Sequence, residues 1–283
     1  MKPYRILSLA VAAALCVGSQ AAMAGGHGKK GDRPDKHHQK DRGACAEVAA
    51  ALGVSGPDEI WSALHTALSN ATAAEASGLD LQMWGSVVDR DGVVCAVAFS
   101  GAARGDQWPG SRVISAQKAN TANAFSLDGL ALSTANLYSA VQPGGSLYGL
   151  QHSNPVATNV AYGGDSADNG TADDGMVGKK VGGVNVFGGG LALYNADHKV
   201  IGAVGVSGDT SCADHMIGWR VRDNLGLDNL TGVGGVSGDA ARPDNIVYDI
   251  TPNANGGTGV SAGGFGHPNC INTADPAGLP AVQ

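Results

Sequence analysis

Residues 83–99 read MWGSVVDRDGVVCAVAF, in which two apolar runs, Met83 to Val88 and Val93 to Phe99, flank Asp89-Arg90-Asp91-Gly92. An Asp-Gly turn between strand-like runs marks a hairpin, because glycine takes the positive φ that a tight turn demands. The sheet therefore begins with antiparallel neighbours. Upstream, Pro57 with Asp58 and Glu59 opens a helix, whose apolar stripe (Ile60, Trp61, Leu64, Leu68, Ala71) runs out near Gly78. Downstream, Ser111 to Phe125 is expected as a second helix capped by Ser111, and Leu130 to Val141 as a third, stopped by Gln142-Pro143-Gly144-Gly145. Val184 to Phe187, Leu191 to Tyr194 and Val200 to Val206 read as strands, with a turn at Asn195 to His198. A last helix covers Cys212 to Asp223, and a final strand-like piece is Ile246-Val247-Tyr248. Hairpins with helices between them indicate an α/β domain of the α+β kind, built on a mostly antiparallel sheet.

The chain has 283 residues, 43% hydrophobic and 15% charged, a composition that buries a core and is not that of a disordered chain. Its 44 glycines follow no G-X-Y period, which excludes collagen. Lys2 and Arg5, the apolar run Ile6 to Val17 and Ala22-Met23-Ala24 predict a signal peptide over 1–24. Residues 25–43, GGHGKKGDRPDKHHQKDRG, predict a solvated basic, histidine-bearing tail. The expected domain spans 44–226 and contains an acidic, Gly-rich loop over 155–183, too long for an ordinary connection. A Gly-rich extension fills 227–283. No stretch reaches the ~18 apolar residues of a membrane helix. From Ala44 onward ten basic residues face 22 acidic ones, a balance that repels nucleic acid. The expected location is periplasmic or secreted. There Cys45, Cys95, Cys212 and Cys270 would form two disulfides, with three connectivities open.

No nucleotide fingerprint or G-x-S-x-G elbow is present. Gly205-Val206-Ser207-Gly208-Asp209 joins a strand to a helix, where backbone amides could hold an anion, although glycines there also serve close strand–helix packing. Asp165, Asp168, Asp173 and Asp174 lack calcium-loop spacing and read as a solvated acidic loop. Among the histidines, His65 belongs to a helix face, His198 to a turn, His215 to the last helix and His267 to a tail loop. His152, in YGLQHSNP (148–155), follows a helix end among apolar and aromatic neighbours, where an axial haem ligand could sit. No catalytic pair or triad is legible.

Residues 57–224 resemble the GlcG/HbpS family of haem-binding-type proteins, which includes the C-terminal domain of PduO proteins. The resemblance rests on Val87-Val88-Asp89 with Gly92, on KANTANAF (118–125), on Tyr148-Gly149-Leu150 with Ser153-Asn154, on VFGGGL (186–191) and on VIGAVGVSG (200–208). It implies a profilin- or PAS-like antiparallel sheet flanked by helices, a homo-oligomer and, for some members, haem or a related tetrapyrrole as cofactor. Carried over by position, it sets Lys118 and Thr121 near a ligand groove, with Tyr148 and His152 beside it and His152 as the metal ligand. The family's loop histidine falls at Gln151 here. Departures are the acidic loop, the tail after Leu227 and the four cysteines, for which the favoured pairing is Cys212 with Cys270 and Cys45 with Cys95. The leading expectation is an exported haem-binding protein for sequestration, transport or sensing, with His152, His65 or His215 as iron ligand. The alternative is a cofactor-free enzyme on a small organic acid or aromatic substrate, recognised by Lys118 and the Gly205–Asp209 turn.

Overall fold

The 89–92 turn forms around Asp89, whose carboxylate accepts hydrogen bonds from the Asp91 and Val93 amides, while Gly92 takes φ 78°. It joins β1 (Trp84–Asp89) to β2 (Val94–Phe99) in antiparallel register. The computed structural model describes residues 43–257 and 259–283, so the expected signal peptide and all of the basic tail but Gly43 lie outside the described residues. With β3 (Gly190–Tyr194) and β4 (Val200–Ser207) the hairpin completes a four-stranded sheet of order β2-β1-β4-β3, antiparallel throughout.

Both faces are covered, which is why the strands carry long apolar runs instead of strict alternation. One face packs on α3 (Ser111–Phe125) through Val88, Val97 and Ala203 against Val113, Ala116, Ala119 and Ala122. Small residues are needed here because the backbones nearly touch: a Cβ on Gly205 would run into the Ser115 carbonyl and the Ala119 amide. Close strand–helix packing is thus the use made of that glycine. The other face packs on α1 (Ala46–Leu52), α2 (Pro57–Ala73) and a long C-terminal helix, through Ile60, Leu64, Leu68, Met216 and Trp219.

Five short helical elements lie between α3 and β3: a 3-10 turn at Thr134–Leu137, α4 (Tyr138–Val141), α5 (Leu150–Ser153), α6 (Thr158–Ala161) and a 3-10 turn at Ser166–Asp168. The long helix is α7 (Ser211–Asn224), capped by the Thr210 side chain accepting from the Ala213 amide. A two-residue ribbon pairs β5 (Ile250–Thr251) with β6 (Val260–Ser261). No helix of the described residues is long and apolar enough to cross a membrane.

Several expectations need correction. The third helix starts four residues later than 130, because Ser133 takes an extended conformation (ψ 162°) and its hydroxyl and amide bond Asn136. Val184 to Phe187 is unpaired in the sheet: Val184 to Val186 are buried, with the Asn185 amide bonding the Thr121 hydroxyl instead, and Phe187 is exposed. Ile246 to Tyr248 is not a strand, and the ribbon lies beyond it. The acidic loop is not wholly solvated: Asp174 is buried and holds a two-pronged ion pair with Arg112 on α3.

Cys45 pairs with Cys95 and Cys212 with Cys270. The first bond uses an irregularity of β2. Val87 faces Ala96 and Val88 faces Val94, so Cys95 is the extra residue of a bulge and turns toward the α1–α2 face. The second ties residues 227–283 to α7. Those residues do not trail away, since Leu227, Ile246 and Leu279 belong to the same core as α2 and α7.

Candidate functional site

The Lys118-to-Phe125 helix and the FGGG run converge on one buried polar centre. Lys118 sits mid-α3, 1% exposed, with Nζ 2.6 Å from Asp214 Oδ2 on α7 and donating to the Val206 carbonyl of β4 at 3.0 Å. Asp214 Oδ1 accepts from the Gly208 and Asp209 amides at 3.0 and 2.8 Å. The strand-to-helix turn does cradle a carboxylate, but it is the chain's own. Burial pushes the Asp214 carboxyl up to about 6 against the pull of Lys118, and burial likewise lowers Lys118.

Gly189 closes this centre. Its φ is 116°, and a Cβ there would meet the Val206 carbonyl and come within 3.2 Å of Lys118 Nζ. One turn along α3, Thr121 donates to the Gln117 carbonyl and accepts from the Asn185 amide. Thr121 therefore holds Asn185 from beneath, while Lys118 lies under Gly189 and bonds Val206 and Asp214. The recognition groups of the small-acid alternative, the Lys118 ammonium and the turn amides, are satisfied internally.

Tyr148 and His152 lie elsewhere, at the protein surface. Tyr148 is 65% exposed, and α5 carries His152 exposed in its only turn. Leu147 and Leu150, half-buried beside them, pack with Phe125 and Leu132 on a small core of Leu137, Val141, Val184 and Val186. No described residue hydrogen-bonds the His152 ring. The four expected site residues thus form two pairs, Lys118 with Thr121 inside and Tyr148 with His152 outside; Thr121 bonds Asn185, and the flanking Val184 and Val186 share a core with Phe125, Leu147 and Leu150.

The other histidines divide by burial. His65 is half-buried and stacked on Trp61 with ring centroids 5.0 Å apart, and His198 is exposed in its turn. His215 is fully enclosed, its Nε2 accepting from the Ile246 amide at 3.1 Å, so a macrocycle has no approach to it. His267 is also buried, and burial lowers both imidazoles to about 4. A groove of about 550 Å³ runs between the Cys45–Cys95 bond, the start of α2 and residues 172–178; it is lined by Asp58, Glu59 and Asp173 and holds no imidazole.

Sequence reasoning did not single out Asp214 or Asn185, and it placed Asp174 in a solvated loop. Asp214 stands next to His215 in the helix, and adjacency along a helix does not show that each side chain meets a different element.

The profile of a family described as haem degrading protein HbpS-like matches residues 58–221. Among solved structures, Klebsiella pneumoniae protein ORFY, of family DUF336, is 27% identical with a TM-score of 0.39, over 58% of this chain and 88% of that one. A PduOC:heme complex is 24% identical with a TM-score of 0.40, over 58% and 89%. No curated protein matches the chain.

Proposed function

Because the chain belongs to the HbpS-like family, we propose that it is an exported haem-binding protein whose iron ligand is His152. The observation that carries this reading is the setting of His152: an exposed imidazole with no bond to any described residue, on α5 beside Tyr148 and the half-buried Leu147 and Leu150. An apolar flank with one free imidazole fits a flat, largely apolar macrocycle that needs an axial nitrogen. Haem, when bound, supplies its iron's own redox and ligand chemistry. His152 would hold the iron through its imidazole, and Tyr148, Leu147 and Leu150 would supply apolar surface for the macrocycle. The enclosed His215 drops out as ligand on steric grounds. Two disulfides support an oxidising destination, consistent with sequestration or transport outside the cytoplasm.

The test is a hemin titration of residues 25–283 followed by absorbance. A saturable Soret shift reaching its plateau at one equivalent is expected. A flat difference spectrum overturns the proposal.

A further inference from the structure

The four residues of α4 divide between two neighbours. Tyr138 and Ser139 meet the C-terminal segment: the Tyr138 ring centre lies 5.1 Å from that of the buried His267, and the Ser139 hydroxyl donates to the Gly266 carbonyl at 2.6 Å. Ala140 and Val141 meet the approach to α5. The Ala140 carbonyl accepts from the Leu147 amide at 2.8 Å, and Val141 packs in one core with Leu147 and Leu150. Leu150 opens α5, the helix that carries His152. A helix of one turn has no stability of its own, so the groups on either side of α4 set its position.

Residues 266–272 act on α4 as a strap. One end is the Gly266–Ser139 bond. At the other, Asn272 donates to the Ala76 carbonyl at 3.2 Å, and its own carbonyl accepts from the Gly78 amide at 3.0 Å. Between them the Cys212–Cys270 bond fixes the strap to the first turn of α7, and His267 is enclosed with Nδ1 3.9 Å from Cys212 Sγ and its ring against Tyr138. The strap lies outside residues 58–221, whereas α4, α5 and Cys212 lie within them. Cys270 is half-buried, so an external thiol can reach its sulfur. Cys212 is 1% exposed and stands in the first turn of a 14-residue helix, where backbone N–H groups favour a departing thiolate.

We propose that the Cys212–Cys270 bond is a redox latch on haem binding: closed, it holds α4 and the Leu147–Leu150 surface beside His152 in place, and its reduction weakens the site. The proposal rests on the haem reading of His152. The reductant is a dithiol. Its thiolate attacks Cys270 Sγ, the S–S bond breaks and Cys212 leaves as thiolate. The second thiol of the reductant then displaces Cys270, so a cyclic disulfide forms and the protein gains two electrons and two protons. His152 itself is unchanged; α4 loses its hold on the strap side, and the apolar surface for the macrocycle loses its footing.

The experiment compares oxidised wild type with Cys212→Ser/Cys270→Ser, in which Cys45–Cys95 stays intact and no reductant is present. Hemin titration gives affinity, and hydrogen exchange is read by NMR at the Gln142 and Leu147 amides, which the Ser139 and Ala140 carbonyls of α4 hold. We expect hemin to bind the double variant at least ~5-fold more weakly, the low end of coupling between sites, with faster exchange at both amides. Ser139→Ala, with both disulfides intact, cuts one strap bond and should move both readings the same way by less; it decides the matter if circular dichroism shows the double variant unfolded. Unchanged affinity or unchanged exchange in the folded double variant overturns the proposal. No hemin uptake by oxidised wild type overturns the haem reading and the latch upon it, while faster exchange at Leu147 in the double variant would still support the strap's hold on α4.

Discussion

Lys118 on α3 and Asp214 on α7 meet at 2.6 Å beside Val206 at the end of the interior strand β4, and each is held by a second group that the other does not touch. The two are not equivalent. Asp214 serves three donors, Lys118 Nζ and the Gly208 and Asp209 amides, whereas Lys118 serves two acceptors.

Removing either partner leaves a buried charge uncompensated, at about 3–5 kcal/mol. Lys118→Met is the milder change, because Asp214 already titrates near 6 and can take a proton on the oxygen that Lys118 vacates. Asp214→Ala strands an ammonium and two amides together. Urea midpoints should therefore order wild type, Lys118→Met, Asp214→Ala; equal midpoints for the two variants would contradict this account.

Gly189→Ala tests the cover over that pair. With φ at 116° and the Val206 carbonyl in the path of the new methyl, we expect a loss of at least ~1–3 kcal/mol in thermal or urea unfolding. Gly226→Ala is the control: φ is 64° but no atom lies within 4 Å of its Cβ, so backbone strain acts there without collision.

Stability should fall on acidification between about pH 6.5 and 4. His215 and His267 bind protons in the unfolded chain near 6.5 but in the folded chain only near 4, so their contribution is complete above 6.5 and lost as pH falls toward 4. Asp214 works the other way, since its folded carboxyl at about 6 lies above the ordinary value and its contribution fades as pH rises through 6. Burial raises Asp228 in the same sense as Asp214 but less far, so the two imidazoles outweigh the carboxyls and the net slope is positive. Urea titrations at pH 4.5, 5.5 and 6.5 should show rising midpoints, and a flat series would refute the assignment of neutral, buried imidazoles.

The two disulfides close loops of 50 and 58 residues in sequence separation, and removing either should cost about 2–4 kcal/mol. The effects should differ locally. Loss of Cys45–Cys95 frees α1 from the β2 bulge, whereas loss of Cys212–Cys270 loosens the C-terminal segment. Hydrogen exchange should rise in residues 46–52 in the first case and in residues 246–283 in the second.

His152→Ala should abolish or shift the Soret band of the hemin-loaded protein while leaving the urea midpoint within about 0.5 kcal/mol of wild type, as for a surface change. An unchanged spectrum removes His152 as ligand.

The hairpin, α2, α3, β3, β4 and α7 were legible in the sequence because each is a long run with one dominant period or a glycine-bearing turn. Val184 to Phe187 was not, since an apolar run reports burial and leaves the choice between sheet pairing and a side-chain partner such as Thr121 undecided. Asp174 was hidden for a similar reason: nothing in the local sequence distinguishes it from Asp173, and its charged partner, Arg112, is 62 residues away. Lys118 and Thr121 were picked out by resemblance, but burial beneath the 184–190 segment is a tertiary property that their helix pattern does not encode. His152 stood out through its loop setting, and the structure leaves it at the surface.

The segment shared with the family ends at residue 221, yet the last turn of α7 is anchored by Asp244 and the chain near Pro280. Arg222, with no exposed surface, is clasped by Asp244 and lies 4.5 Å from the centre of the Trp219 ring, while the Trp219 indole donates to the Pro280 carbonyl. A chain cut after residue 226 would leave a naked guanidinium and an unroofed indole where an interior had been. The family-matched portion thus leans on the segment that follows it. A change in α7 can therefore undo the tail's packing, and a change in the tail can disturb a site that it never touches.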